Sequence, residues 1–335
     1  MTTPRTLQQE RLISIVKRFP GLRILVVGDA IADQFVYGAI SRVSREAPVF
    51  ILRHEQTETV PGGAANCAMN LVSLGADVSL IGVVGEDTAG LTLVERLETA
   101  GVNCKGLVTS EKLQTTTKVR ILAGQLHSTR QQVIRLDYEG APLDSEFHEA
   151  ICKRTLQEIQ TSDALIISDY NYGVADQKLA KVVRDSAASS GIPVLVDSRF
   201  KLSEFERFTS ATPNEDEVEQ LLGKQLGNVS DLELAGEEMR ERLGYRALLI
   251  TRGSHGMVLL EDAVSPLHID AVGGRESVDG TGAGDTVIAT YTLALASDAS
   301  FPDAAHLANY AGGLVVMKRG TASITGDELI ESMLR

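Results

Sequence analysis

Cysteine and aromatic residues are scarce in this sequence of 335 residues, and tryptophan is absent. The three cysteines, Cys67, Cys104 and Cys152, form no CxxC pair, and so sparse and odd a number suits a reducing compartment better than a disulfide-stabilised fold. No apolar run approaches the roughly 20 residues of a membrane span, and the N-terminal segment lacks the apolar core of a signal peptide. These absences predict a cytoplasmic protein without a membrane partner.

Basic residues are also in the minority. Lys and Arg number 32 against 45 Asp and Glu, which gives a net charge of −13 and a pI near 5.0. A protein that binds DNA or RNA needs a positive field to neutralise phosphates, so this balance argues against a nucleic-acid partner. We expect the partner to be a small molecule.

Apolar runs alternate with helical patterns along the chain. The runs end at or near Gly, Asp or Asn, as buried parallel strands do, and they lie at 22–29, 77–85, 164–170, 192–199, 211–214, 246–253 and 256–261. This alternation predicts an α/β fold, a doubly wound and mostly parallel sheet with helices on both faces. The length fits one domain over 1–335 with a small appendage.

Two segments, at about 34–60 and 114–137, break this alternation. Each alternates polar with β-branched residues, which predicts two hairpins that form a separate small sheet. Ligands of open α/β folds bind beyond the carboxyl ends of the strands, so the small sheet is placed to act as a lid, although an edge hairpin without function fits the pattern equally well. Its edges, rich in Val and Ile, predict a homodimer formed through the lid.

Polar residues near the first strand are candidates for holding a ligand. Asp29 and Asp33 follow that strand, and Gly62, Gly63 and Asn66 belong to PGGAAN, a turn that enters a helix. Carboxylates accept hydrogen bonds from vicinal hydroxyl groups and amides donate to them, which predicts a sugar ligand. Each residue also has a structural explanation, since Asp29 can end a strand and Asn66 can cap a helix.

The segment DGTGAGDT (279–286) is a glycine-rich turn that leads into a buried helix. Helix N-termini hold anions because their N–H groups are unpaired and the helix dipole favours negative charge. We expect the N–H groups of Gly282, Ala283 and Gly284 to face an anion, with the carboxylate of Asp285 beside it.

The segment TPNEDEVEQ (212–220) has two interpretations. Asn214 can cap the following helix, whose first turn is acidic. Alternatively, Asn214 and Glu217 offer oxygen atoms to Mg²⁺, which usually keeps its waters and a substrate phosphate.

These motifs resemble the ribokinase-like (PfkB) carbohydrate kinases over nearly the whole length, through PGGAAN (61–66), the pair Asn214 and Glu217, and DGTGAGDT. The resemblance implies a ribokinase-like fold and ATP-dependent phosphorylation of a sugar hydroxyl. It also implies that Asp285 is the catalytic base, that the amides of Gly282, Ala283 and Gly284 form the anion hole, and that Asn214 and Glu217 hold Mg²⁺ through water.

The resemblance also assigns residues to the nucleotide and to a second cation. Thr251, Gly253 and Gly256 match a Thr-x-Gly-x-x-Gly turn, and Asn309 would face the base; with Asn214, Gly282 and Gly284 they form the expected nucleotide site. Asp279 and Thr281 match positions that hold a monovalent cation such as K⁺ in many relatives, and GTASIT (320–325) offers further oxygens.

The lid segment GAISRVSREAPV (38–49) is similar to that of the heptose 7-phosphate kinases of lipopolysaccharide-precursor synthesis. The likeness implies that the anomeric hydroxyl of D-glycero-D-manno-heptose 7-phosphate is phosphorylated, in the route to ADP-heptose. A phosphorylated substrate needs cations, although any single cation can also be a solvated surface charge. The candidates are Arg42, Arg45, Arg199 and Lys201, together with Lys118 and Arg120.

Three departures from the family pattern affect this interpretation. Arg45 replaces a Pro, VDSRFK (196–201) replaces an Asp-Pro-Lys motif, and Gly280 takes a Val position. A kinase for another sugar or nucleoside, and a catalytically silent sugar- or nucleotide-binding protein, remain alternatives; Asp285 beside an intact Gly-Ala-Gly turn favours an enzyme. No nucleotidyltransferase motif follows the kinase portion, so we expect another protein to adenylylate the product.

Overall fold

The computed structural model describes residues 6–124, 130–273, 278–318 and 320–334. The connection at 125–129, which falls in the second predicted lid segment, lies outside these ranges. The strands are β1 (Arg23–Gly28), β2 (Ala30–Val43), β3 (Phe50–Gly63), β4 (Asp77–Gly85), β5 (Leu107–Ser110), β6 (Thr117–Gly124), β7 (Gln131–Tyr138), β8 (Ala164–Asp169), β9 (Val194–Ser198), β10 (Ser210–Ala211), β11 (Ala247–Thr251), β12 (Met257–Glu261) and β13 (Leu267–Ile269).

The helices begin and end where the sequence provides caps. Asp87 and Asp176, for example, accept hydrogen bonds from the first turns of their helices, and Gly101 and Gly191 end the same helices in the left-handed conformation. The helices are α1 (Leu7–Val16), α2 (Ala64–Ser73), α3 (Thr88–Ala100), α4 (Ser145–Glu158), α5 (Gln177–Ser190), α6 (Glu215–Leu222), α7 (Val229–Leu243), α8 (Ala283–Ala296), α9 (Phe301–Val315) and α10 (Gly326–Met333).

The large sheet has nine strands in the order β13-β12-β11-β10-β9-β8-β1-β4-β5. The seven neighbouring strands β11-β10-β9-β8-β1-β4-β5 all pair in parallel, which confirms the predicted doubly wound fold. The run at 256–261 was expected to be parallel too, but β12 pairs antiparallel with β11. Only five residues, 252–256, connect these two strands, and a parallel crossover needs a dozen or more.

Both faces of the large sheet are covered by helices. Along β1, Ile24 and Val26 pack into the core that contains α2, α8 and α9, whereas Leu25 and Val27 pack into the core that contains α5 and α7. Helix α8 is buried continuously from Asp285 to Ala294, whereas its first two residues, Ala283 and Gly284, remain accessible to solvent. No helix within the described ranges combines the length and apolar character needed to cross a bilayer.

The small sheet has four strands in the order β3-β2-β6-β7, as expected from the two hairpin segments. Hairpin β2–β3 and hairpin β6–β7 are antiparallel, and β2 joins them by pairing in parallel with β6. Strand β2 starts two residues after β1 ends, and β3 runs directly into α2. The small sheet is therefore attached at the carboxyl end of β1, where ligands of this fold class bind.

Candidate active site

Asp285 lies in the first turn of α8 with only 3 % of its surface exposed. Its Oδ2 accepts a hydrogen bond of 2.7 Å from the side-chain amide of Asn66, and its Oδ1 accepts one of 2.9 Å from the hydroxyl of Tyr170. Burial raises the pKa of Asp285 to about 6, although both hydrogen bonds favour the ionised form. The carboxyl group can therefore accept or release a proton near neutral pH.

The turn before α8 has a backbone that glycine adopts easily. Gly282 has a φ of 77°, and a Cβ atom there would lie 2.6 Å from Nδ2 of Asn66. The N–H of Ala283 donates to the carbonyl of Gly280 at 3.3 Å, whereas the hydrogen bonds of the described residues leave the N–H groups of Gly282 and Gly284 unused. Two of the three expected anion-hole donors are thus available at the N-terminus of a helix.

Asp29 is buried at the end of β1 and holds the loop that follows β8. Its Oδ2 accepts from the N–H groups of Tyr170 and Tyr172 at 2.8 and 3.0 Å, and its Oδ1 accepts from Val174 at 3.2 Å. Burial raises its pKa to about 6, against the effect of these three donors. Backbone groups therefore take the place of the sugar hydroxyl that the sequence predicts as the partner of Asp29.

Asp33 is a buried carboxylate on β2, within the small sheet. It pairs with the guanidinium of Arg120 on β6, and both side chains are largely buried. A Cβ atom at Gly62 would lie 2.3 Å from Oδ2 of Asp33, so a glycine is needed where β3 passes this carboxylate. At Gly63, a φ of 57° and a main-chain carbonyl 2.6 Å from a Cβ position impose glycine for the same reason.

A group of basic side chains, Lys118, Arg120 and Arg199, lies between the small sheet and the loop after β8; we call it the basic group. Nζ of Lys118, 6 % exposed, is 5.2 Å from the ring centroids of both Tyr170 and Tyr172, and the Arg199 guanidinium is 4.5 Å from the Tyr170 ring. Burial lowers the pKa of Lys118, and the charge of Arg199 lowers it further. Lys118 is buried and Arg199 is exposed, and cations clustered in this way are suited to an anionic ligand that enters from solvent.

The remaining basic candidates are more scattered. Lys201 lies two residues beyond Arg199, in the turn after β9. Arg42 is exposed near the far end of β2, nine positions from Asp33, which corresponds to about 30 Å along a strand. Arg45 is exposed in the turn between β2 and β3. Within one chain these two arginines are therefore too distant to contact a small sugar held at Asp33, which corrects their predicted place in a single-chain site.

A cavity of about 280 Å³ lies beside the glycine-rich turn, and Gly280, Ala283 and Gly284 form part of its wall. Apolar residues form much of its wall, in keeping with a chain that has no tryptophan, and Asn309 also anchors its amide on a main-chain carbonyl at 2.8 Å. The wall includes five of the seven residues predicted to bind nucleotide, namely Thr251, Gly253, Gly256, Gly284 and Asn309.

Asn214 and Glu217 form a reciprocal capping box at the start of α6. Oδ1 of Asn214 accepts from the N–H of Glu217, and Oε2 of Glu217 accepts from the N–H of Asn214, both at 2.8 Å. This is the structural role that the sequence left open, and it uses only one of the two carboxylate oxygens of Glu217. In the described part of the chain, no three or more His, Cys, Asp or Glu side chains converge as a metal centre.

Asp279 joins the glycine-rich turn to the segment at 320–325. Its Oδ1 accepts from the N–H of Thr281 at 2.9 Å and its Oδ2 from the N–H of Gly320 at 3.0 Å. Oγ1 of Thr321, next along the chain, is buried without a hydrogen-bond partner among the described residues. The two segments that the sequence associates with a monovalent cation therefore meet.

Tyr170 is the site residue that the sequence did not single out. The signal was present, because Tyr170 ends a run predicted as a strand, and side chains at such ends face the ligand crevice.

The two-sheet fold, the carboxylate at the helix N-terminus and the adjoining cavity are the features that indicate a class of enzyme. The family model for pfkB family carbohydrate kinases matches residues 22–327, and the chain belongs to this family of ATP-dependent sugar kinases.

Among curated proteins the chain is similar to those named bifunctional protein HldE. It is 40 % identical to the protein from Marinomonas sp. (strain MWYL1) over 314 residues, which cover 93 % of this chain and 64 % of that protein. It is 39 % identical to the protein from Pseudomonas aeruginosa (strain LESB58) over 319 residues, covering 95 % and 65 %. The chain thus spans just under two thirds of the length of these relatives.

Solved structures show the same fold at low sequence identity. Phosphofructokinase-2 from Escherichia coli in complex with potassium superposes with a TM-score of 0.79 at 20 % identity, over 93 % of this chain and 98 % of that one. Arabidopsis thaliana ribokinase complexed with ribose and ATP gives 0.73 at 20 % identity, over 94 % and 99 %. The ribokinase-like fold implied by the sequence is confirmed.

Proposed function

We propose that this kinase uses ATP to phosphorylate the anomeric hydroxyl of D-glycero-D-manno-heptose 7-phosphate, a step toward ADP-heptose. The observation that carries the proposal is the identity of about 40 % with the HldE proteins across 93 % of the chain. The basic group supports it, because Lys118 and Arg199, which both lie over the Tyr170 ring, add positive charge beyond Arg120, the partner of Asp33. We place the reaction in the cytoplasm, as the sequence predicts.

In this proposal Asp285 accepts the proton of the anomeric hydroxyl. A carboxylate is too weak a base to deprotonate an alcohol beforehand, so proton transfer is late and correct placement of the hydroxyl matters most. The N–H groups of Gly282 and Gly284 stabilise the charge that spreads over the transferring phosphoryl group. Asn66 holds Oδ2 of Asp285, and Asp33 is left to orient the sugar hydroxyls.

Mg²⁺ fits at the start of α6 because one oxygen of Glu217 is left over by the capping box. Glu217 and Asn214 would hold the ion through water molecules, and the ion would offset the charge of the triphosphate. K⁺ fits near Asp279 and Thr281, where the unpaired hydroxyl of Thr321 supplies another oxygen.

We further propose that the protein is a dimer built through the small sheet. Strand β7 is an edge strand, and its side chains Val133, Ile134 and Leu136 are 46 %, 49 % and 43 % exposed. Long exposed edges are normally paired or covered. A second subunit would cover this edge. Sedimentation showing a monomer at micromolar concentration would defeat this proposal.

The test of function is an ADP-release assay across hexoses, pentoses, nucleosides and their phosphates, including heptose 7-phosphate. We expect the highest kcat/KM for heptose 7-phosphate, at least a hundredfold above the unphosphorylated heptose, and ³¹P NMR should show a new anomeric phosphate. Asp285→Asn serves as the inactive control. Equal turnover of both heptoses would refute the phosphosugar assignment, and a preference for a nucleoside would replace it.

A further inference from the structure

Tyr170 contacts the reacting carboxylate through a side chain that the family signature does not contain. We propose that Tyr170 is a positioning residue, which fixes the plane of the Asp285 carboxylate toward the acceptor hydroxyl. The inference rests on the proposed role of Asp285 as the base, and the variants below separate the two.

The first argument is the geometry of the carboxylate. Tyr170 donates to Oδ1 of Asp285 at 2.9 Å, and Asn66 donates to Oδ2 at 2.7 Å. One donor to one oxygen leaves the carboxylate free to rotate about its Cβ–Cγ bond, whereas two donors from separate elements define its plane. Asn66 comes from α2 and Tyr170 from the loop after β8, so the orientation of Asp285 depends on both elements.

The second argument is that Tyr170 itself is immobilised at three points. Its N–H donates to Asp29 at 2.8 Å, its ring lies 5.2 Å from Nζ of Lys118 and 4.5 Å from the guanidinium of Arg199, and its hydroxyl reaches Asp285. A side chain held in this way loses little further freedom when it makes the hydrogen bond. Asp29 therefore influences the orientation of Asp285 indirectly, because it anchors the loop that carries Tyr170.

The third argument concerns the proton on Tyr170. Burial raises its pKa well above the ordinary value, and the charge of Asp285 raises it further. The hydroxyl therefore stays protonated over the working range and acts only as a donor to Asp285. A permanent donor stabilises the ionised carboxylate, which is the form that accepts a proton.

Tyr172 provides a matched control in the same loop. Its ring lies at the same 5.2 Å from Nζ of Lys118, and its N–H donates to the same Asp29 carboxylate at 3.0 Å. Among the described residues, however, no hydrogen bond joins its hydroxyl to Asp285. Tyr170→Phe and Tyr172→Phe make the same chemical change, since each removes one hydroxyl group and keeps the ring. Only Tyr170→Phe removes the hydrogen bond to Asp285.

Both variants retain the other ionisable and polar groups near Asp285. They are the side chains of Arg199, Asp33 and Asn66, which act on the pKa of Asp285, and those of Asp197 and Cys67, whose own pKa values Asp285 raises. A difference between the pH profiles of the two variants therefore reports the Tyr170 hydroxyl.

The experiment compares the wild-type chain with Tyr170→Phe, Tyr172→Phe and Asp285→Asn. It measures kcat and its pH dependence, the KM for ATP and for heptose 7-phosphate, and nucleotide affinity. We expect Tyr170→Phe to lower kcat by about 10- to 100-fold with unchanged nucleotide affinity. We also expect its acid limb to move up by about one pH unit, because a donor to the carboxylate is lost. Tyr172→Phe should keep the wild-type pH profile.

The outcomes are distinct. If Asp285→Asn remains active, the proposed base is wrong and this inference falls with it. If Asp285→Asn is inactive while Tyr170→Phe matches Tyr172→Phe in kcat and pH profile, only the positioning role is overturned. Circular dichroism and thermal unfolding of both Phe variants identify a folding defect, and a Tyr170→Phe enzyme with reduced kcat but an unmoved acid limb also counts against the inference.

Discussion

The side-chain amide of Asn66 donates a 2.7 Å hydrogen bond to Asp285, a residue 219 positions away in the sequence. Each residue lies in the first turn of a helix, α2 for Asn66 and α8 for Asp285, and the two helices pack in the same core. A Cβ atom on Gly282 would intrude on this contact. Two glycine-containing turns, which look independent along the chain, thus form one site.

Replacing Asp285 by Asn should lower kcat by several orders of magnitude, because the amide cannot take up the proton of the attacking sugar hydroxyl. Nucleotide affinity should change little, since Asp285 does not line the cavity that we propose as the nucleotide site. Steady-state kinetics and equilibrium nucleotide titration check both expectations. A variant that keeps a tenth of wild-type turnover would remove Asp285 from the base role.

The same substitution should stabilise the fold at high pH. Burial raises the pKa of Asp285 to about 6, above its unfolded value near 3.8, so the carboxyl group favours the folded state when protonated and opposes it when ionised. The wild type should therefore lose stability relative to Asp285→Asn as pH rises from 4 through 6, by on the order of 2 kcal/mol at pH 8. Urea unfolding at pH 4, 6 and 8 measures this difference. Shifted groups shared by both proteins, such as Asp29, cancel in the comparison.

Alanine at Gly282 should damage both stability and catalysis. The left-handed φ of 77° costs about 1–2 kcal/mol for a residue with a Cβ atom, and that atom would displace Asn66. Gly284→Ala is the matched control, because a Cβ atom there has no neighbour within 4 Å in the described structure and the position is helical. Thermal unfolding should separate the two variants; equal melting temperatures would contradict the proposed contact.

Glu217→Gln should separate helix capping from metal binding. Gln also completes a capping box, so the free energy of unfolding should change by less than about 0.5 kcal/mol. The loss of charge should raise the Mg²⁺ concentration for half-maximal activity about tenfold. Asp216→Asn removes a charge from the same turn outside the capping box and should leave the Mg²⁺ dependence unchanged. Similar Mg²⁺ titrations for both variants would argue against a metal role for Glu217.

Alanine at Arg199 or Lys201 tests the phosphorylated substrate. A charge-assisted contact contributes about 1.5–3 kcal/mol, so its loss should raise KM for the sugar phosphate by roughly one to two powers of ten. The unphosphorylated sugar is the internal control and should show no such rise. Arg42→Ala and Arg45→Ala should act only if a partner subunit supplies these residues. If all four variants affect both sugars equally, an unphosphorylated substrate is the better assignment.

The sequence predicts features that depend on local pattern and misses those that depend on chain geometry. The buried strand β1 and the acid in the first turn of α8 follow from hydrophobic runs and glycine spacing. The antiparallel direction of β12 was missed although the five-residue connection before it excludes a crossover. The distance of Arg42 from Asp33 was likewise readable from strand rise.

Side-chain partners at long range were the least predictable part. The Asp29 carboxylate was expected to face a sugar, but it binds three N–H groups of a loop more than 140 positions away. Nothing in the local pattern of GDAIAD distinguishes these partners, because a carboxylate accepts equally well from hydroxyl and N–H donors. The position of Tyr170 at a strand end was readable, but its partner was not, since the hydroxyl meets Asp285 only when β8 and α8 are brought together.

The small sheet is joined to the large one without slack. Strand β2 follows β1 after a single residue, Asp29, and β3 passes straight into α2, which carries Asn66. An exchange of this hairpin between relatives would join the chain at Asp29 and at Gly63. Asp29 holds the loop after β8, and Gly63 precedes the helix whose Asn66 contacts Asp285. The hairpin and the residues around Asp285 therefore have to evolve together. A change of specificity made by exchanging the hairpin alone would also disturb the position of Asp285.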